Sequence, residues 1–250
     1  MSNDSAIFNR SRLLLGDENM NRLAAAKVIV FGVGGVGSWC VESLVRSGIC
    51  NITIVDCDKV SVTNINRQLM ANTDTVGKVK VDALKEYLLK INPEANIDTR
   101  QEFYSADTAD EFDLDSYDYV IDAIDSLKDK MLLIKRATAS RARFFSSMGA
   151  ALKLDPTRVQ VAEFWKVVGC PLARALRQRF KKEKRYPRKK FLCVFSDELL
   201  QNKQGEGCID EAGMADTRIR KAQTNGSLQH ITAMFGLTLA GLVLKDLTSR

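Results

Sequence analysis

The feature that most limits what this chain can fold into is an apolar run that breaks straight into glycines: KVIVF, Lys27 to Phe31, then GVGGVG, Gly32 to Gly37. A short continuous apolar run suits a strand buried on both faces, and such strands belong to parallel sheets covered by helices on each side. Gly32, Gly34 and Gly37 fit the G-x-G-x-x-G spacing. In that pattern the turn needs positive φ, the backbone approaches a phosphate, and the following helix offers free N–H groups to an anion. An apolar-faced helix from about Ser38 to Arg46 and a second run, ITIVD, complete a βαβ unit ending at Asp56. That acid stands roughly twenty residues past the loop, where a carboxylate accepts hydrogen bonds from ribose hydroxyls. The bland alternative is that the glycines only allow close helix-strand packing.

The alternation continues. Val79 to Ile91 places Val81, Leu84, Leu88 and Ile91 at helical spacing and stops at Asn92-Pro93; IDTRQEF and DYVIDAI then read as strands. Leu127 to Ser140 reads as a helix and FFSSM as a strand ending at Gly149. The order predicts an α/β fold: a Rossmann-like, mostly parallel sheet with helices on both faces, extended by a smaller C-terminal α+β part. Residues 1–150 are expected to form the nucleotide-binding domain, and 151–250 a substrate-binding extension packed on the same core. In the extension RVQVAEF and FLCVFS read as strands, and Gln201 to Asn225, polar and glycine-containing, as a mobile loop.

Residues beyond the glycine loop separate the nucleotides it could hold. A dinucleotide's diphosphate carries about two charges, which backbone N–H groups and a helix dipole nearly satisfy; ATP carries about four and demands cationic side chains and a metal. The stretch DCDKVSVTNINRQ places Asn64, Arg67 and Gln68 above the sheet, and VGKVK puts Lys80 at the start of the next helix. Two strands on, VIDAIDS puts Asp122 and Asp125 at a strand's C-terminal end, where a carboxylate can hold magnesium against a triphosphate. Singly, each has a plainer reading: Arg67 and Lys80 as solvated charges, Asp125 as the cap of the helix that begins near Leu127.

Together, GVGGVGSW, the D-x-D of Asp56 and Asp58 followed by TNINRQ, VGKVKVDAL and VIDAIDS resemble the ubiquitin-activating-enzyme-like (ThiF/MoeB/HesA) superfamily of adenylating enzymes, over Phe8 to about Gly149. The resemblance implies ATP and Mg2+. It puts Gly32, Gly34, Gly35, Gly37, Asp56 and Asp58 around the nucleotide, with Asn64, Gln68, Arg67 and Lys80 toward its phosphates. Asp125 would be the magnesium ligand, and Arg10, in FNRSRLLLG, the arginine that reaches into the site of the partner subunit in a homodimer. Arg10, Arg67, Lys80 and Asp125 are thus the expected catalytic residues. Branches that adenylate the C-terminal Gly-Gly of small sulfur-carrier proteins usually carry two C-x-x-C zinc pairs and often a reactive cysteine. This sequence has no such pair. LDPTRVQVAEFWKVVGCPLARALRQRF and CVFSDE instead resemble the branch that cyclises threonylcarbamoyladenosine in tRNA. Sulfur-carrier adenylation is the alternative, and a nucleotide-sensing scaffold of the same fold a third. The resemblance also allows sulfur-relay proteins, a cysteine desulfurase and its sulfur acceptor, as partners.

Charge and cysteine usage agree with that branch. The formal net charge is +6 at pH 7, which favours an anionic partner. The excess gathers in RALRQRFKKEKRYPRKK, where Glu183 is the only acid. Arg174, Arg177, Lys181, Lys182, Lys184, Arg185, Arg188 and Lys189 are its candidate tRNA-phosphate contacts, with Phe180 and Tyr186 available to stack on a base. The plainer reading is a solvated helix face. Six cysteines without C-x-x-C spacing suggest neither disulfides nor zinc and fit a reducing cytoplasm. The single histidine, His230, reads as structural. AMFGLTLAGLVL, Ala233 to Leu244, is shorter than the roughly 18 residues of a membrane span, and reads as a buried helix without membrane association.

Overall fold

The computed structural model describes residues 6–203 and 225–249. Cys208 and most of the stretch read as a mobile loop lie outside the described residues. The chain runs α1 (Asn9–Ala25), β1 (Lys27–Phe31), α2 (Gly37–Arg46), β2 (Asn51–Val55), α3 (Lys80–Leu89), β3 (Asn96–Arg100) and β4 (Tyr119–Asp122). It continues through α4 (Leu127–Ala139), β5 (Arg143–Ser147), β6 (Val159–Glu163), α5 (Pro171–Glu183), β7 (Leu192–Ser196) and α6 (Gln229–Thr248). The seven strands form one sheet in the order β3-β2-β1-β4-β5-β7-β6. All neighbours are parallel except β6 and β7. The strands of the second half therefore extend the same sheet, β7 pairing beside β5 and β6 closing the edge.

Successive residues of β1 explain the three layers. Val28 and Val30 point into a core shared with α1, α2, α3 and α6, and Ile29 and Phe31 into a second core under α4 and α5. All four are fully buried, as the unbroken apolar run requires. The strand read in IDTRQEF stops at Arg100, because its one partner, β2, ends where Val55 faces Arg100.

Helix α6 runs for 20 residues, longer than its apolar stretch suggests, and is long and apolar enough by composition to cross a membrane. In this fold half of its apolar stretch is buried, with Ile231, Phe235, Leu239, Ala240 and Val243 inside the core. Gly236 permits its close crossing over α2. A Cβ there would lie 2.4 Å from the carbonyl oxygen of Val36, nearer than any real contact.

The turn after β4 is fixed from inside. Asp122 is fully buried and pairs with Lys130 of α4, also fully buried, at 2.8 Å. Ser146 donates to Asp122 Oδ2 at 2.7 Å, and the backbone N–H of Ile124 donates to Oδ1 at 3.0 Å. Lys130 Nζ also donates to the Ile124 carbonyl at 2.9 Å. Asp122 is thus a structural acid, which corrects its reading as a candidate magnesium carboxylate. Replacing one member of a buried pair leaves the other charged and unpaired, a loss of about 3–5 kcal/mol. Lys130→Met is expected to lower the unfolding free energy in urea by that amount; a change under about 1 kcal/mol would show that the pair does not anchor the turn.

Candidate nucleotide site

The site stands where β1, β2 and β4 end. The glycines divide into two roles. Gly32 has φ +84°, and a Cβ there would lie 2.9 Å from the Ala123 carbonyl oxygen; at Gly37 a Cβ would lie 1.8 Å from that of Gly32. These two close the backbone on itself. Gly34 instead is uncrowded, since a Cβ there would meet only Gln68 Nε2, at 3.7 Å, whereas Gly35 is packed closely from above, with Arg67 Cγ and Thr232 at 3.3 Å from where a Cβ would stand. The expected packing role is met at Gly32, Gly35 and Gly37.

Beside Gly34, Gln68 is buried and its Oε1 has no hydrogen-bond partner among the described residues. A buried carbonyl left unpaired costs about 1–3 kcal/mol, so a donor arriving with a ligand would be rewarded here. Asn64, also buried, accepts from the Ser61 N–H at 3.1 Å and so shapes the short helical turn Val62–Asn64 that precedes Arg67. Arg67 donates to the carbonyl of Thr63 at 2.8 Å and to Asn66 Oδ1 at 3.0 Å, and its own carbonyl accepts from Trp39 Nε1 at 3.0 Å.

Asp56, at the end of β2, accepts from the Val33 N–H at 2.8 Å and the Asp58 N–H at 3.0 Å, tying the acid to the glycine loop. Lys80 begins α3 and is buried, with Nζ 2.7 Å from Asp58 Oδ2 and 3.9 Å from Asp56 Oδ1. Burial pulls its pKa down, but the two carboxylates outweigh that and hold the ammonium charged. At Asp56, farther from the ammonium than Asp58, burial wins and the carboxyl is pushed up despite Lys80. The side chains of Asp56, Cys57 and Asp58 cluster closely enough to hold a metal ion, yet the Lys80 ammonium already supplies the cation.

Asp125 is exposed in the turn after β4. The N-cap position of α4 belongs to Ser126, not to Asp125. Arg10 is exposed and not brought to the other expected residues. Phe8, two positions earlier, lies 3.9 Å from where a Gly48 Cβ would stand. Gly48 follows the C-terminal end of α2, and that helix, rising about 1.5 Å per residue, puts Phe8 at the far end of the sheet from the glycine loop.

The basic run divides as well. Phe180 is fully buried in the core and cannot stack on a base, correcting that expectation. Lys189 is also corrected: its Nζ donates to the carbonyls of Ser140 and Ala142 at 2.7 Å, and burial lowers its pKa. Arg177 donates to the Phe164 carbonyl at 3.0 Å. Arg174, Lys181, Lys182, Lys184, Arg185 and Arg188 are exposed. His230 binds the carbonyl of Leu154 through Nε2 at 2.9 Å. Two features escape a reading of the residues, since nothing local marks either: the Thr232 contact over Gly35 and the anchoring of Asp122 by Lys130 and Ser146.

Known proteins accord with this geometry. The ThiF family signature matches residues 8–250. The tRNA threonylcarbamoyladenosine dehydratase of Bacillus subtilis (strain 168) is 39% identical over 244 residues, covering 96% of this chain and 94% of that one. Crystal structures of Escherichia coli tRNA N6-threonylcarbamoyladenosine dehydratase, TcdA, are similar throughout. The complex with AMP superposes with a TM-score of 0.86 at 33% identity, covering 100% of this chain and 96% of that one; the complex with ATP has a TM-score of 0.85 at 32% identity, covering 100% and 96%.

The thiols nearest the site are poor nucleophiles. Burial, with the neighbouring Asp58 and Asp56, pushes Cys57 up to about 12, and burial alone pushes Cys40 up to about 12. At pH 8 such thiols are ionised in about one molecule in ten thousand. Iodoacetamide at pH 8 is therefore expected to leave Cys40 and Cys57 unmodified in the folded protein and to alkylate both after denaturation, read by peptide mass spectrometry. Rapid labelling of native Cys57 would refute this assignment.

Proposed function

The chain belongs to the ThiF family, and from that premise we propose that it adenylates the threonyl carboxylate of threonylcarbamoyladenosine in tRNA and releases the cyclised base, AMP and pyrophosphate. The observation that carries the reading is that likeness to the dehydratases spans both halves of the chain, 96% of it in the B. subtilis relative. The site's chemistry fits ATP as a substrate: the loop is uncrowded at Gly34, the unpaired Gln68 oxygen invites a donor, and Asp56 lies within the ribose position of such folds.

Several residues of this chain would share the work. N–H groups at the start of α2 face the phosphates with the positive end of a helix dipole. Lys80 and Arg67 supply fixed positive charge where negative charge grows. Lys80 can exchange the half-exposed Asp58 for a phosphate oxygen, since an ammonium has three donors. Asp125 is the residue that would hold Mg2+, which would neutralise phosphate charge. Once the carboxylate is activated, the nucleophile that closes the ring is already tethered to it, with an effective molarity of roughly 10⁵ M or more. No protein nucleophile is then required, consistent with the protonated state of Cys40 and Cys57.

The reading extends to a cytoplasmic homodimer in which Arg10 completes the partner's site, supported by its position far from its own glycine loop. The exposed cations of α5 and the loop after it would contact tRNA phosphates.

Two experiments test these roles. Mass spectrometry of anticodon-loop nucleosides after incubation with ATP is expected to show loss of one water, and Lys80→Ala and Asp125→Ala should each slow it about a hundredfold or more. Wild-type protein that leaves the nucleoside mass unchanged, but forms an adenylate with a small Gly-Gly protein, would favour sulfur-carrier chemistry instead. The second experiment mixes Arg10→Ala and Asp125→Ala proteins, each nearly inactive alone. If subunits exchange freely, half the dimers are mixed and one site in each is intact, so activity should return to about a quarter of wild type. No recovery, with exchange confirmed by differently tagged chains, would rule out an arginine acting across the interface.

A further inference from the structure

An exposed aromatic pair lies at the opposite end of the sheet from the glycine loop. Trp165 and Tyr186 are 38% and 53% exposed, with ring centroids 6.0 Å apart and planes tilted by 50°. Both are placed by firm neighbours. Trp165 sits in a short helical turn whose first residue, Phe164, is fully buried and stacks on Phe191 at 5.0 Å. The Glu163 carboxylate caps that turn by accepting from the Trp165 N–H at 3.0 Å. Tyr186 follows Lys184, whose left-handed backbone (φ 51°) ends α5. The loop is held by Lys189 on the Ala142 carbonyl and by the Arg188 N–H donating to Thr138 Oγ1 at 3.1 Å.

The direction of the strands sets the location. Glu163 faces Leu192, the first residue of β7, and the Phe164 N–H donates to the Phe191 carbonyl at 3.1 Å. The pair is therefore about one strand length, roughly 16 Å, from the C-terminal ends where the nucleotide site lies. Cations surround it along the chain: Lys166 beside Trp165, and Lys184, Arg185 and Arg188 around Tyr186, all exposed. Of the acids nearby, Glu163 is engaged by the Trp165 N–H, and Glu183 lies 3.9 Å from Arg179.

Exposed aromatic rings with exposed cations beside them in the chain match one chemistry closely: a base that presents its π-face while flanking phosphates meet the positive charges. A duplex hides those faces, so the base must be unpaired. Resting on the tRNA reading, we propose that Trp165 and Tyr186 form a stacking platform for an unpaired nucleobase of the RNA substrate, several nucleotides from the one modified at the glycine loop. The enzyme would thus hold its RNA at two ends of the sheet, and a lone nucleoside could engage only one of them.

Tryptophan emission can test this, because the chain has two tryptophans. In a Trp39→Phe protein, an anticodon stem-loop RNA is expected to quench Trp165, whereas a blunt RNA duplex of equal length should not. Tyr186→Ala should weaken stem-loop binding about tenfold and raise KM for tRNA while leaving ATP binding unchanged, and Tyr186→Phe, which keeps the ring, should restore both. Trp165→Leu should behave as Tyr186→Ala, with folding checked by the unfolding midpoint. The proposal falls if the duplex quenches equally, if polyglutamate quenches and competes as well as the stem-loop, which would point to a protein partner, or if both substitutions leave stem-loop binding intact. In those cases a wild type that still releases AMP with tRNA keeps the functional reading; a wild type that neither binds nor turns over tRNA loses both.

Discussion

An ammonium and a carboxylate held without any solvent contact, Lys130 and Asp122, are the constraint on which the site depends. Burying two charges costs several kcal/mol per ion unless every lone pair and proton is matched. Here Ser146, the Ile124 N–H and the Ile124 carbonyl complete the set. Because two strands and a helix contribute partners, the turn after β4 has little freedom. Its Ala123 carbonyl is the wall against which Gly32 must pass without a side chain, and Asp125 is displayed just beyond. The pair contributes shape more than net stability. It converts the end of one strand into a fixed edge for the glycine loop of the next.

The same logic governs Lys80. Its charge is kept by Asp58 and Asp56, and the closer of these contacts is to a residue still half open to solvent. On the proposed reading, such a cation could pass from Asp58 to an incoming anion without rearrangement of the main chain. Preorganisation of this kind is what electrostatic catalysis requires.

Much of this is legible in the sequence, and the rest fails for identifiable reasons. KVIVF, ITIVD and FLCVFS announce their strands because apolar continuity is a local signal, and the glycine spacing carries its own turn chemistry. The partner of a charge is not local. Asp122 and Asp125 sit three residues apart in VIDAIDS, and only the position of Lys130 one turn into α4 decides that one is sealed and the other displayed. Phe180 and Tyr186 likewise share one basic run, yet the first falls on the buried stripe of α5 and the second past its end. Lys189 looks like its neighbours until two backbone carbonyls of the turn before β5 claim it. The length of α6 is understated in the sequence because its polar ends, unlike its apolar middle, follow no visible pattern.

The close crossing at Gly236 ties the two extremes of the described chain together. The residue that α6 presses against, Val36, precedes it by two hundred positions, and Thr232 overhangs Gly35 from the same helix. A ribosome would expose the glycine loop and its helix long before it made the element that covers them. Until then the apolar side of α2 faces water or a chaperone, so the nucleotide site matures only once α6 has been made. The loop most readily recognised in the sequence acquires its working surroundings only after two hundred further residues have been made.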